Sequence, residues 1–390
     1  MRPNDSDQPL QGARLKRRKL LLFSNNVAMG GMEAHILLLA RHLDQTQFEV
    51  YAICPAWEPT RLFNERMAHE VDHFATVTPD RRYGCVKQVV ETWRFWKLLH
   101  TWRIEVLHMH STGYQGLTVA FLVARLSGVK RIYVTEHLAP EQALPLPKRV
   151  MRSLFSLLLN GIVCVSEKNH RLRAHYILTP PKRTIVVANG VDPDEFTPLP
   201  AEQQAALRRE YELPADAQIV GSVVRFEPEK GLGDLMLAFQ QIRASCPQAY
   251  LLLVGDGSLR EALAQQAAQL GLAEYVRFTG FQRDPKPFLS IIDVFVLPVP
   301  FGSMSIGLLE AMAMGCAVVI TFGGPGEAVV HEQHGFCAEP HNPASLAHYI
   351  LMLLEDPALR QRLGSAARQR VESAFSAQRV ARTLATLYQQ

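Results

Sequence analysis

Charge is almost missing from one long stretch of this 390-residue chain. From Val294 to Gly326 there is no aspartate, lysine, arginine or histidine, and the one glutamate is Glu310, inside "FGSMSIGLLEAMAMG" at 301–315. A lone carboxylate on an apolar helix is expensive unless hydrogen-bond donors meet it. Glu310 is therefore a candidate ligand-binding group; the alternative is a core glutamate satisfied by backbone N–H groups. Other absences exclude whole classes. No CxxC joins the cysteines at 54, 85, 164, 246, 316 and 337, which removes zinc ribbons and disulfide frameworks and leaves buried thiols in a reducing compartment. No apolar run approaches the roughly 20 residues that cross a bilayer. No secretory leader is visible: residues 1–18 are polar, and only Leu20–Phe23 follows as an apolar run, so a cytoplasmic location is expected. A net charge of +4 gives no basis for nucleic-acid binding. No GxGxxG follows the first apolar run, which argues against a Rossmann dehydrogenase, and the glycine turn there lacks the lysine of a Walker loop.

What is present is a repeated rhythm. "KLLLFS", "EVYAIC", "EVLHMH", "RIYVTEH", "GIVCVS" and "TIVVAN" read as buried strands in the first half, "IVGSVVR", "YLLLVG", "YVRFTG", "DVFVLP" and "AVVIT" in the second. Continuous apolar strands separated by amphipathic stretches mean parallel sheets covered on both faces. Two such sets predict two doubly wound Rossmann-like α/β domains. The expected division is a disordered basic tail at 1–18, a first domain at 19–197, a second at 198–373 and a terminal helix at 374–390.

Ligands of such folds bind beyond the carboxyl ends of the strands, so the loops there hold the candidates. In "SNNVAMGGMEAH", Gly30 and Gly31 permit close backbone approach at a helix start that favours an anion. In "VVRFEPEKG", Arg225 and Lys230 can straddle a diphosphate and neutralise a leaving group; a solvated pair partnered by Glu227 and Glu229 is the alternative. Gly255 to Gly257 form a glycine turn from strand to helix. The turn "VPFGSMS" leads into the helix of Glu310, whose carboxylate can bind a vicinal pair of ribose hydroxyls. His108 and His110 lie two apart on one strand face, and Glu136 and His137 follow another strand; no metal set is expected from them. "DPD" at 192–194 reads as a turn beside Asn189-Gly190.

Together "GGMEAH", "VVANGVDPDEF", "VRFEPEKG", "LLLVGDGSLREAL", "DVFVLP", "LLEAMAMGCAVVIT" and "GGPGEAVVHEQHGF" resemble, in order and spacing, the retaining glycosyltransferases of family 4 with the GT-B fold. The resemblance covers nearly all the chain after about residue 19. It implies two domains facing across a cleft, a nucleotide-sugar donor, a saccharide or lipid-linked saccharide acceptor, and no metal or other cofactor. It assigns Arg225, Lys230 and His137 to catalysis. Gly30, Gly31, Gly255, Gly302, Ser303, Met304, Ser305, Ile306 and Glu310 fall on the donor side, Glu33 and His110 on the acceptor side. It also implies that the terminal helix crosses back onto the first domain. One position departs: the family pattern carries a glutamate eight residues before Glu310, and this chain has Gly302. The rival readings are a non-catalytic nucleotide-sugar sensor or scaffold, and another GT-B-like enzyme such as an epimerase.

Two basic, apolar stretches, "VVETWRFWKLLHTWR" and "PLPKRVMRSLFSLLL", suit a peripheral contact with an anionic membrane. The preferred expectation is packing on the sheet, with Val86, Val89, Val90, Trp93 and Trp96 as a buried stripe.

Overall fold

Buried apolar runs of four to seven residues become parallel strands because helices cover both of their faces. The computed structural model describes residues 16–26, 30–79, 85–112, 117–138, 144–177, 181–302, 304–323 and 327–390. The first sheet contains β1 (Arg18–Ser24), β2 (Phe48–Cys54), β3 (His73–Thr76), β4 (Val106–Ser111), β5 (Arg131–Glu136), β6 (Gly161–Cys164) and β7 (Thr184–Val186), in the order β3-β2-β1-β4-β5-β6-β7. The second contains β8 (Gln218–Val223), β9 (Ala249–Val254), β10 (Val276–Phe278), β11 (Val294–Leu297), β12 (Ala317–Thr321) and β13 (Phe336–Ala338), in the order β10-β9-β8-β11-β12-β13. Every pairing between these strands is parallel. The chain is thus the expected pair of doubly wound domains. Each has a switch point where the strand order reverses, between β1 and β4 and between β8 and β11.

Alternate side chains of β1 feed opposite cores. Leu20 and Leu22 pack on one face, Leu21 and Phe23 on the other. The last helix, Ala377–Gln389, belongs to the first of these cores through Val380, Leu384 and Tyr388. The Tyr388 ring lies 5.9 Å from Phe48 and 5.7 Å from Tyr133. Two chain crossings connect the domains side by side: Val191 N–H donates to the Phe375 carbonyl (3.0 Å), and Ala377 N–H donates to that of Val191 (2.9 Å). No helix among the described residues is long and apolar enough to cross a membrane.

The structure differs from the sequence expectations in three places. Residues 1–15 lie outside the described residues, but Arg18 already belongs to β1, where its N–H donates to the Gln47 carbonyl (2.8 Å). The edge strands β3 and β13 were not expected: β3 is four residues and partly exposed, β13 three residues, too short for an apolar run to declare them. The stripe expected to be buried on the helix Cys85–Trp102 is exposed: Val86 is 81% and Trp93 56% accessible. The helix carries a second apolar stripe, and Phe95 and Leu99 on that one enter the core.

Candidate functional site

Both switch points open toward each other. The helix Gly31–His42 follows β1, and the helix Ile306–Ala313 follows β11. Their N-termini meet across the cleft: a Cβ placed on Gly31 would lie 3.6 Å from Ile306 Cδ1. Gly30, in extended backbone, starts the first helix, and the Ser305 hydroxyl caps the second by accepting from Leu308 N–H (3.4 Å). Two helix N-termini converging on one gap favour an anion there. The Asn189 side-chain amide fixes the entrance to the second helix by donating to the Met304 carbonyl (3.0 Å). Ser303 lies outside the described residues.

Arg225 and Lys230 flank the same end of the second sheet. Arg225 follows β8, with buried Phe226 anchoring the loop behind it. Lys230 precedes Gly231, whose left-handed backbone presses against Pro298 after β11. Burial holds the Lys230 ammonium below its ordinary range, opposed by Glu229. Glu227, which accepts from Ser258 Oγ (2.7 Å), is turned away to that partner. Gly255 has φ 136°, and a side chain there would collide with the Val224 carbonyl, so it supports the loop that carries Arg225.

Glu310 is half-buried, and its carboxylate makes no hydrogen bond to another described residue. No backbone N–H among the described residues satisfies it, which speaks against a core glutamate held by the backbone. Burial pushes it up to about 7, with Glu195 and Asp284 adding repulsion. Those two acids come from distant loops and were not anticipated from the sequence; Lys286 bridges them at 3.6 and 3.8 Å. Gly302 has φ 156°, in the range that favours glycine, with Val299 Cγ1 3.5 Å from where a Cβ would stand.

On the other wall, Glu33 is 1% accessible and accepts from Asn26 Nδ2 (2.9 Å), while its Oε2 has no hydrogen-bond partner. Burial pushes it up to about 7. His110 and His137 stand side by side, with Nδ1 of the first 3.3 Å from Nε2 of the second. His35, which sequence reasoning quoted only as the end of "GGMEAH", completes the group. Its ring is 5.6 Å from His110 and 5.2 Å from His137, and neither of its nitrogens has a hydrogen-bond partner. Burial pushes His35 down to about 4 and holds His110 and His137 well below their ordinary range, so all three are neutral. His108 shares the strand face of His110 but is bound by Thr135 Oγ1 (2.7 Å) and the Tyr388 hydroxyl (2.5 Å), a structural role. Glu136 pairs with buried Arg173 and is likewise structural. "DPD" is a turn, with Asp192 Oδ1 accepting from Asp194 N–H (3.1 Å). Among the described residues no three His, Cys, Asp or Glu side chains are placed to hold a metal ion.

Side chains from both domains fasten the cleft. The Glu327 carboxylate accepts from the backbone N–H groups of Glu167 (2.8 Å) and Lys168 (2.5 Å), at the start of the helix Glu167–Tyr176 in the other domain. Lys168 Nζ returns a bond to the Gly323 carbonyl (2.6 Å).

Comparison with known proteins agrees with this architecture. Residues 29–195 match the family described as Glycosyltransferase Family 4, and residues 203–370 match Glycosyl transferases group 1. Each domain thus matches a glycosyltransferase family model, and the fold is GT-B. It is 35% identical over 207 residues to a glycogen synthase of Mycobacterium tuberculosis, covering 52% of this chain and 47% of that one. It is 34% identical over 170 residues to the lipopolysaccharide core biosynthesis glycosyltransferase LpsD of Rhizobium meliloti, covering 43% and 48%. The matched region thus spans about half the length of these curated relatives. Among solved structures, Anabaena Alr3699/HepE in complex with UDP and glucose superposes with a TM-score of 0.80 over 95% of this chain and 99% of that one, at 21% identity.

Proposed function

We propose that this chain transfers a sugar from a nucleotide-sugar to an acceptor hydroxyl with retention of anomeric configuration and without a metal ion. The observation that carries the reading is Glu310, a half-buried carboxylate with no hydrogen bond to another described residue, on the helix whose N-terminus faces Gly31. Ribose hydroxyls would donate to it, the diphosphate would lie between the helix N-termini, and Arg225 and Lys230 would neutralise the leaving group. The acceptor oxygen attacks the anomeric carbon on the face the phosphate leaves. The C–O bond to phosphate breaks as the new C–O bond forms, and the departing phosphate oxygen takes the acceptor proton. That step needs positioning and leaving-group charge rather than a carboxylate base. Neutral His137 and His110, with Glu33, whose carboxyl is pushed up to about 7, line the acceptor wall as hydrogen-bonding groups.

The acceptor proposed is a saccharide, carried on a lipid at the cytoplasmic side of a membrane. Gly302 favours one rival, a nucleotide-sugar sensor that binds without turnover, because it removes a side chain expected near the donor sugar. Incubation with UDP-, GDP- and ADP-sugars, following released nucleotide and the anomer formed, separates the two. Binding without release supports the sensor.

A further inference from the structure

We infer that one face of the first domain is a docking surface for an anionic lipid bilayer. Three helices, Cys85–Trp102, Leu117–Leu126 and Leu146–Leu158, lie together on one side of the first sheet: Phe95, Phe121 and Phe155 all enter the core cluster that contains Leu21 and Phe23. The Phe121 and Phe155 rings meet at a tilt, 4.5 Å between centres, and Arg125 holds the layer together by donating to the Leu158 carbonyl (2.7 Å). The outward faces of the same helices are apolar. Most of the exposed large apolar side chains among the described residues lie on them, including Val89, Trp93, Leu126, Val150, Met151 and Leu154. The second domain shows fewer, such as Leu237 and Phe281. An apolar area of this breadth is unusual on a free surface.

The charges decide what covers it. Lys87, Arg94, Lys97, Lys148, Arg149 and Arg152 are interleaved with the apolar residues. The one acid on the three helices, Glu91, is turned inward: it pairs with Arg94 (2.7 Å) and accepts from Thr78 N–H (3.0 Å). A second copy docked through a two-fold axis would set cation against cation. A neutral protein groove would offer Lys97, Lys148 and Arg149 no counter-charge. Anionic headgroups with acyl chains beneath satisfy both components, and this mixture of basic and apolar side chains on helices lying in one plane is what such an interface binds. Trp93, with Lys97 Nζ 5.4 Å from its ring centre, is the amphipathic anchor expected at headgroup depth.

The surface also lies at a useful end of the domain. In a parallel α/β layer each covering helix starts near the carboxyl ends of the strands. Val86 and Val89, and Val150 and Met151, are therefore in the parts of their helices nearest the wall formed by Glu33, His110 and His137. A bilayer on this face would bring a lipid-carried acceptor to the cleft. The inference rests on the proposed transfer only for that acceptor; docking itself stands or falls separately.

The test is flotation of the purified full chain with vesicles of phosphatidylcholine, with and without phosphatidylglycerol, together with tryptophan emission. The expected result is binding to the anionic vesicles only, loss of binding at high salt, and a blue shift of emission as Trp93 and Trp96 leave water. A Lys97→Gln, Lys148→Gln, Arg149→Gln variant should bind roughly a hundredfold more weakly, at about fivefold per cation. Val150→Asp with Leu154→Asp, both outward-facing, should abolish binding while donor-nucleotide affinity measured without lipid stays unchanged. Wild-type chain that ignores anionic vesicles overturns the inference. So does binding that both variants retain, or a concentration-dependent dimer that the Asp variant dissolves in place of vesicle binding. Vesicle binding with no nucleotide released from any donor would remove the transfer reading and leave the surface standing.

Discussion

Arg225 and Lys230 share one carboxylate: Glu229 Oε1 lies 3.9 Å from an Nη of Arg225 and 3.8 Å from Lys230 Nζ. Pairs this long and this exposed hold little energy. The two cations are therefore ready to exchange Glu229 for a diphosphate that reaches both. Arg225→Ala or Lys230→Ala should each lose about 2–4 kcal/mol of transition-state stabilisation, read from kcat/KM. Turnover like the wild type in either variant removes that residue from the site.

Glu310 predicts a pH dependence with a definite sign. Its carboxyl is raised from the ordinary 4.5 to about 7, so its share of stability is fully present below 4.5 and is lost as pH rises through 7. Hydroxyl donors stabilise the charged form, so nucleotide binding should release a proton near pH 7. Affinity should then rise by up to about tenfold per unit below pH 7 and level off above it. Calorimetry in buffers of different ionisation enthalpy counts that proton. Glu310→Gln should abolish the release and weaken free nucleotide and nucleotide-sugar alike; a variant that binds free nucleotide as well as wild type makes Glu310 a structural residue.

At Gly302 the backbone, rather than space, sets the constraint. Gly302→Ala places its Cβ in ordinary contact with Val299 but forces φ 156° on a residue with a side chain, which should cost about 1–3 kcal/mol in denaturant unfolding. Gly302→Glu should lose the same stability and fail to sharpen the donor preference, because a loop built on this glycine does not aim a glutamate as the family pattern requires. Two variants as stable as the parent would show that the loop relaxes freely.

Glu327 joins the domains by placing a negative charge at a helix N-terminus. Glu327→Ala should cost about 1 kcal/mol. Small-angle scattering of the free chain should show a larger radius of gyration, and kcat should fall as closure becomes less favoured. Unchanged scattering together with an unchanged unfolding midpoint would make the contact incidental.

The central strands and the loops after them were legible because buried runs such as "KLLLFS" and "AVVIT" have no other way to hide their apolar atoms. The edges were not, since His73–Thr76 and Phe336–Ala338 are short. The helix Cys85–Trp102 has two apolar stripes, and periodicity cannot tell which meets the sheet; Phe95 and Leu99 won. Glu310 stood out by isolation in sequence, yet its acidic neighbours Glu195 and Asp284 arrive only through folding. His35 joins His110 and His137 for the same reason, from a helix after β1 and the ends of β4 and β5.

Arg225 and Lys230, with no metal ion, are proposed to neutralise the leaving group of a nucleotide-sugar. The most direct measurement follows nucleotide released from a panel of nucleotide-sugars by protein treated with EDTA. Release should survive chelation and collapse in the Arg225→Ala and Lys230→Ala variants. Release abolished by EDTA and restored by Mg²⁺ or Mn²⁺ would contradict it.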